Sequence, residues 1–313
     1  GRAFVVGLLN TLLVSAIGVA LATVVGFVIG VARLSSNWLV ARLAAVYIET
    51  LRNIPLLLQL FFWYFAVLRN LPAPKNSVEI LGAAFLNTRG LFVPSPILES
   101  GFGWVGIAIA VAFAVVVAMA LWARRRRERT GQPFPTVSAA IAILVGLPLI
   151  VSALAGFPLS WEVPALKGFN FRGGIALIPE LVALTLALSI YTAAFIAEVV
   201  RAGILSVSHG QTEAAYALGL RRGPTLRLVV IPQALRVIIP PLTNQYLNLT
   251  KNSSLAAAIA YPDLVVVFAG TTLMQTGQAV EIIAITMAVY LTISLSIAGA
   301  MNLYNRRMAL VER

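Results

Sequence analysis

The chain has 313 residues, of which 60% are hydrophobic and 11% charged, and it carries a formal net charge of +12. A soluble domain is nearer about half apolar and a quarter charged, so this composition belongs to a polytopic membrane protein and excludes a single aqueous core. The chain has no cysteine and one histidine, His209; disulfides, thiolate catalysis and cysteine or multi-histidine metal sites are excluded, and in a membrane chain excess positive charge marks cytoplasmic loops before it marks nucleic acid.

Apolar windows near or above the roughly twenty residues that cross a bilayer as helix cover 4–32, 39–68, 103–123, 135–157, 178–200, 229–249 and 279–303. The first begins almost at Gly1, with no initiator methionine, and leaves room for an N-terminal part outside this sequence. It carries Gly26 and Gly30, a small-xxx-small pair that marks close helix packing. An eighth apolar segment, 254–273, is interrupted by Tyr261-Pro262-Asp263.

Arginines set the orientation. Arg33 and Arg42 flank the first connection, Arg124 to Arg127 with Arg129 follow the third window, Arg201, Arg221, Arg222 and Arg227 mark the connection after the fifth, and Arg306 and Arg307 follow the last. The positive-inside rule puts all four groups in the cytoplasm. That holds with the start outside and seven crossings, provided that 250–278 makes no net crossing. The segment 254–273 is therefore expected as a membrane helix that dips in or lies along the outer side, buried in protein or against a cavity. The arginine run 124–127 reads as a topology anchor. Three regions follow: first core spans in 1–70, outer loops and an inserted span pair in 71–177, and core spans in 178–313 with a cytoplasmic loop at 203–228.

That loop reads as a short helix pair. Ser208 and Gln211 have capping-box spacing, Glu213 is expected in the first turn where the helix dipole favours a carboxylate, and Ala214, Ala215 and Ala217 are strong helix formers of little bulk. Gly219 can take the left-handed conformation that ends a helix. Gly223-Pro224 then predicts a second helix with proline at its first position. Small side chains on a rigid, exposed helix let another surface approach closely.

The pattern Glu213-Ala214-Ala215, Gly219, then Val229, Ile231 and Pro232 resembles the loop of permease subunits of bacterial ABC importers. The stretches "YIETLRNIPLLLQLFFWYF", "AFIAEVVRAGILSVSHGQTEAAYALGL" and "NLTKNSSLAAAIAYPDL" resemble the polar amino-acid branch, the histidine/glutamine permease type, and the region around "RLSSNWLV" with the extra span pair resembles the general L-amino-acid permeases. The resemblance implies an all-α polytopic membrane protein with the type I importer fold, a five-helix core plus an inserted helix pair. It implies that Gln211, Glu213, Ala214, Ala215 and Gly219 form a coupling helix that docks on an ATPase subunit. It also implies the partners: an ATP-binding ABC subunit pair, a second permease subunit in a heterodimer, and a periplasmic binding protein that delivers amino acids, in a bacterial inner membrane with the C-terminus cytoplasmic.

An amino-acid pathway needs partners for a carboxylate and an ammonium at membrane depth, and polar groups in spans are costly enough to be candidates by default. Glu49 and Asn53 share one helix face, Tyr191, Phe195 and Glu198 a second, and Asn244, Asn248 and Lys251 a third. Gln59 and Thr192 lie near the same depth. Tyr191, Thr192 and Asn244 fit cavity lining and interhelical hydrogen bonding equally. Glu198 with Arg201 is expected as a salt bridge at the loop junction, and Arg52 as a partner of Glu49. Pro55, Pro240 and Pro241 are hinges or kinks. No P-loop or catalytic constellation appears, so the chain reads as non-catalytic, with ATP and magnesium held by the partner ATPase. A secondary amino-acid transporter is the alternative, and it leaves the loop unexplained.

Overall fold

The structure, a computed structural model, describes residues 2–132 and 134–308. The expected side of the C-terminus and the side chain of Arg307 lie outside what it describes. The chain divides into two units, one formed by Gly1–Leu71, Thr88–Gly90 and Leu177–Arg313, the other by Pro72–Asn87 and Leu91–Ala176. Among the described residues six helices are long and apolar enough to cross a membrane, seven if one bent pair counts as a span.

In the first unit, helix α1 (Arg2–Ala32) lies along α6 (Pro179–Leu205). Gly7, Thr11, Ser15, Gly18, Ala22, Gly26 and Gly30 turn inward at spacings of three or four, which makes a smooth groove for ridge-into-groove packing. A β-carbon on Gly26 would stand 2.6 Å from Ile196 Cβ and 3.0 Å from the Ala193 carbonyl. The paired glycines therefore do what their spacing predicts: they bring two backbones together. α6 is the centre of the unit, with Leu184, Leu188, Ile196 and Val200 buried.

α2 (Trp38–Asn53) starts on Asn37, whose Oδ1 accepts from the Leu39 and Val40 amides at 3.0 and 3.3 Å. It ends where proline requires: Ile54 is extended (φ −99°, ψ 128°) because the ring of Pro55 excludes the helical region before it. The axis then turns by 106° into α3 (Leu56–Phe61) and a wider π-helical stretch, Phe62–Val67. The window 39–68 is thus a broken span and not one helix, and Pro55 makes the break.

After the cytoplasmic loop come α8 (Arg222–Thr225), a π turn (Leu226–Val230) and α9 (Ile231–Asn252). Pro240 and Pro241 lie within α9 without ending it. The segment 254–273 is built of short pieces: a 3₁₀ run, Ser253–Ile259, a left-handed Ala260 (φ 55°), a π stretch, Val265–Thr272, and α10 (Leu273–Thr276). The helical part Val265–Thr276 is about 18 Å long, well short of the hydrocarbon thickness of about 30 Å. Asp263, 1% exposed, caps it by accepting from the Val266 amide at 2.8 Å and receives Tyr290 Oη at 3.4 Å. Asn10 Nδ2 donates to the Pro262 carbonyl at 2.8 Å and the Leu264 amide to Thr11 Oγ1 at 3.1 Å. The interrupted segment is thereby fastened to α1 and to α11 (Ala279–Met308).

The second unit holds strands that the sequence reading left as loops. Strands β1 (Val78–Ile80), β2 (Ala84–Asn87), β3 (Gly90–Val93) and β8 (Ile175–Leu177) form one sheet in the order β1-β2-β3-β8. β6 (Ala165–Lys167) pairs with β7 (Asn170–Arg172), and Phe171 stacks on Phe85 at 4.7 Å. β4 (Ser95–Leu98) pairs antiparallel with β5 (Leu159–Glu162), from Ser95↔Glu162 to Leu98↔Leu159. Between these two strands lie α4 (Phe102–Thr130) and α5 (Thr136–Leu154). The β4–β5 ladder joins the ends of the insertion, so α4 and α5 leave and return at one point and add no net crossing.

Candidate functional site

The loop after α6 is held at both ends. α7 (His209–Ala217) follows Ser208, whose backbone is extended but whose side chain makes no cap bond. The expected capping box does not form. The Gln211 amide donates to the Ser208 carbonyl at 3.1 Å, and its side-chain oxygen accepts from Gln233 Nε2 of α9 at 3.3 Å. Glu213 is the fifth residue of α7 and so lies beyond the first turn, where the dipole argument placed it; it faces His209 Nδ1 at 3.2 Å one turn back. That pair is exposed and contributes little.

The other end of α7 is firm. Gly219 is left-handed, with φ +78°. Its amide donates to the Tyr216 carbonyl at 2.9 Å, and the Leu220 amide to the Ala215 carbonyl at 3.1 Å. This is a Schellman ending, and it satisfies two carbonyls that a helix end otherwise leaves open. The three alanines do not act alike. Ala215 is 4% exposed and turned into the chain, whereas Ala214 and Ala217 face outward beside Leu218, 84% exposed. α8 begins at Arg222, so Pro224 is its third residue and not its first; the ring still removes an amide that would have no helical partner. From there the chain runs without a gap into α9, so α7 is clamped between two spans.

The span candidates separate into distinct roles. Gln59 is 5% exposed and its Nε2 donates to the carbonyls of Leu51 and Ile54 at 2.9 and 3.0 Å. It closes the broken end of α2 instead of facing a cavity. Asn53, exposed, donates to the Glu49 carbonyl at 2.6 Å. The expected Glu49–Arg52 pair is absent among the described residues: the Arg52 guanidinium instead lies 5.3 Å over the Phe195 ring of α6. Phe195 in turn contacts Tyr191, ring centres 4.9 Å apart. Glu198 and Arg201 form the expected ion pair, two-pronged at 2.5 and 3.0 Å. Thr192 is buried within the bundle. Asn244, Asn248 and Lys251 are exposed and form a stripe along α9 with Pro240.

The structure therefore joins the α2 and α6 candidates through Arg52 and Phe195 and leaves the α9 residues as a separate polar face. Sequence reasoning missed the contact chain at the other end of α6, where Arg69 Nη2 donates to Tyr64 Oη at 2.7 Å and Tyr64 Oη to Glu180 Oε1 at 2.6 Å. The opposite charges of Arg69 and Glu180 flanking two spans were the available signal. Among the described residues no group of three His, Cys, Asp or Glu could hold a metal ion.

Residues 110–310 match the model of a protein family described as a binding-protein-dependent transport system inner membrane component. The chain is 61% identical over its whole length to the putative amino-acid ABC transporter permease protein YhdX of Escherichia coli K12, of which it covers 80%. It is 55% identical, again over its whole length, to the general L-amino acid transport system permease protein AapQ of Rhizobium johnstonii, of which it covers 78%. Among solved structures it resembles an amino acid ABC transporter crystallised with histidines, at 22% identity and a TM-score of 0.58, over 98% of this chain and 94% of that one. It also resembles an inward-facing MetNI methionine ABC transporter, at 15% identity and a TM-score of 0.55, over 99% of this chain and 97% of that one.

Proposed function

The chain belongs to the family of binding-protein-dependent transport system inner membrane components, and from that premise we propose that it is the membrane-spanning subunit of an ATP-driven ABC importer that carries amino acids. The amino-acid class rests on the names of the relatives that match it from end to end. The observation that carries the mechanism is the firm ending of α7 at Gly219 beside an outward face of Ala214, Ala217 and Leu218.

In this reading the exposed face of α7 seats in a groove of an ATPase subunit, which binds ATP and magnesium. Closure of the ATPase pair moves α7 as a rigid body, and the motion passes to α6 and α9, which it joins. Gln211 holds α7 to α9 through Gln233, Ala215 packs inward, and Gly219 fixes the exit angle. A second permease subunit covers the polar stripe Asn244, Asn248 and Lys251, since such a face is costly against lipid. Glu49, Asn53, Tyr191 and Glu198 then border the pathway, and a periplasmic binding protein loads it from outside. The arginine-rich connections and the C-terminus lie in the cytoplasm of a bacterial inner membrane. The experiment is uptake by the reconstituted complex. Transport is lost when the ATPase Walker lysine is replaced. Uptake that persists on a proton or sodium gradient alone overturns the reading.

A further inference from the structure

The end of α4 carries more than an orientation signal requires. Such a signal depends on the number of positive charges, not on their arrangement around a helix. Here the arrangement is specific. Trp122, Arg125, Arg126 and Arg129 recur at i, i+3, i+4 and i+7 and share one face. Arg124, Arg127 and the acidic Glu128 fall on the opposite face. Among the described residues no carboxylate is paired with Arg125, Arg126 or Arg129. With Trp122 and Thr130 these arginines line a hollow of about 350 Å³. Arg126 is held in place, its guanidinium 5.4 Å over the Trp122 ring and its Nη2 donating to Gln132 Oε1 at 3.3 Å. Trp122 is itself braced edge-on by Phe134 at 5.4 Å.

Depth identifies the occupant. α4 carries Trp104 near its start and Trp122 near its end, both well exposed. Eighteen residues of helix separate them, or about 27 Å, close to the hydrocarbon thickness of about 30 Å, and tryptophans prefer that boundary. Arg125, Arg126 and Arg129 stand about 4–11 Å further along the axis, at the level of the lipid phosphates. The hollow is therefore positive, uncompensated, floored by an indole and placed in the headgroup layer. We propose that Trp122, Arg125, Arg126, Arg129 and Thr130 form a binding site for the phosphodiester headgroup of an anionic phospholipid. The guanidiniums hold the phosphate oxygens as forks and Trp122 covers the glycerol end of the acyl chains; Thr130, whose hydroxyl donates to the Arg126 carbonyl at 2.8 Å, borders the hollow and fixes the last turn of α4.

The test uses the whole importer, purified with its partner subunits and examined by native mass spectrometry against phosphatidylglycerol and phosphatidylcholine. The wild type retains phosphatidylglycerol in preference to phosphatidylcholine. R125Q/R126Q/R129Q lowers that retention roughly a hundredfold, about fivefold per arginine removed from the headgroup layer. R125K/R126K/R129K keeps the charge that orients α4, yet retention falls roughly tenfold, because an ammonium cannot hold a phosphate bidentately. Should the glutamine variant fail to insert, the lysine variant decides alone. R124Q/R127Q, on the other face, keeps near-wild-type retention. Equal losses in the two glutamine variants would mean diffuse charge and overturn the site, as would wild-type retention in the lysine variant. Inorganic phosphate should not displace the lipid; saturable phosphate binding that does displace it assigns the hollow to a soluble anion and also overturns the proposal.

Discussion

Gly219 allows the loop mechanism to be tested with little steric confusion. A β-carbon built there meets no atom within 4 Å, so substitution creates no clash and acts through the backbone alone. At φ +78° an L-residue costs about 1–2 kcal/mol, more for a β-branched side chain. If the chain relaxes to avoid that strain it gives up the Gly219–Tyr216 and Leu220–Ala215 bonds, each worth about 0.5–1.5 kcal/mol. By either route the ordered ending loses roughly 1–3 kcal/mol, a factor of roughly 5 to 150 in its population. Asparagine tolerates the left-handed region, so Gly219→Asn should lie near wild type, Gly219→Ala between, and Gly219→Val lowest. The assay is ATP hydrolysis by the reconstituted complex with and without substrate-loaded binding protein. Basal hydrolysis should survive in all three variants while stimulation falls in that order. Wild-type stimulation in Gly219→Val, or equal loss in Gly219→Asn and Gly219→Val, would refute a role for the left-handed ending.

Other outcomes follow from the same geometry. Gly26→Leu places carbons where Ile196 and the Ala193 carbonyl already stand; overpacking by about 1–3 kcal/mol or more should lower the yield of folded protein in a detergent thermal-shift assay, and Gly103→Leu, with open space around it, should not. Gln59→Ala frees two carbonyls at the bend of α2 and should cost about 1–3 kcal/mol in the same assay, whereas Asn53→Ala, at an exposed site, should cost under about 1 kcal/mol. Single cysteines at Asn76 and Arg126 should be labelled from outside by an impermeant reagent at the first and not at the second; the reverse pattern inverts the topology. Glu213→Gln removes only an exposed contact with His209 and should leave α7 folded, so any loss of stimulated hydrolysis would report a contact with the ATPase.

Much of the architecture was legible because its causes are local. The spans follow from apolar length, the α1–α6 approach from glycines four residues apart, and the end of α7 from one glycine at the right place. The errors have local physical causes too. Ser208 has the right spacing for a capping box, but the Gln211 side-chain oxygen accepts from Gln233 Nε2 on α9, and spacing along one helix cannot reveal a partner on another. Pro55 announces a break but not its 106° angle, which also depends on Gln59 reaching back to two carbonyls. The strands of the second unit are three or four residues long, too short for alternation to distinguish them from loops.

The polar residues of the spans mark the boundary of sequence reasoning. An amide in an apolar window signals that something pays for its burial, and the sequence does not say what. For Gln59 the partner is its own backbone; for Glu198 it is Arg201, one turn away. Among the described residues Asn244, Asn248 and Lys251 find no such local partner, and they stand exposed along a single stripe of α9. Three such groups are costly against lipid, which is why the proposed second permease subunit is expected to cover them. The loop leads to the same conclusion from the other side. Ala215 and Gly219 are used by the chain itself, while Ala214, Ala217 and Leu218 are left outward on a helix too rigid to turn them in. Two outward faces remain among the described residues, one polar along α9 and one of small and apolar residues on α7, and these are the two surfaces that the proposed assembly uses.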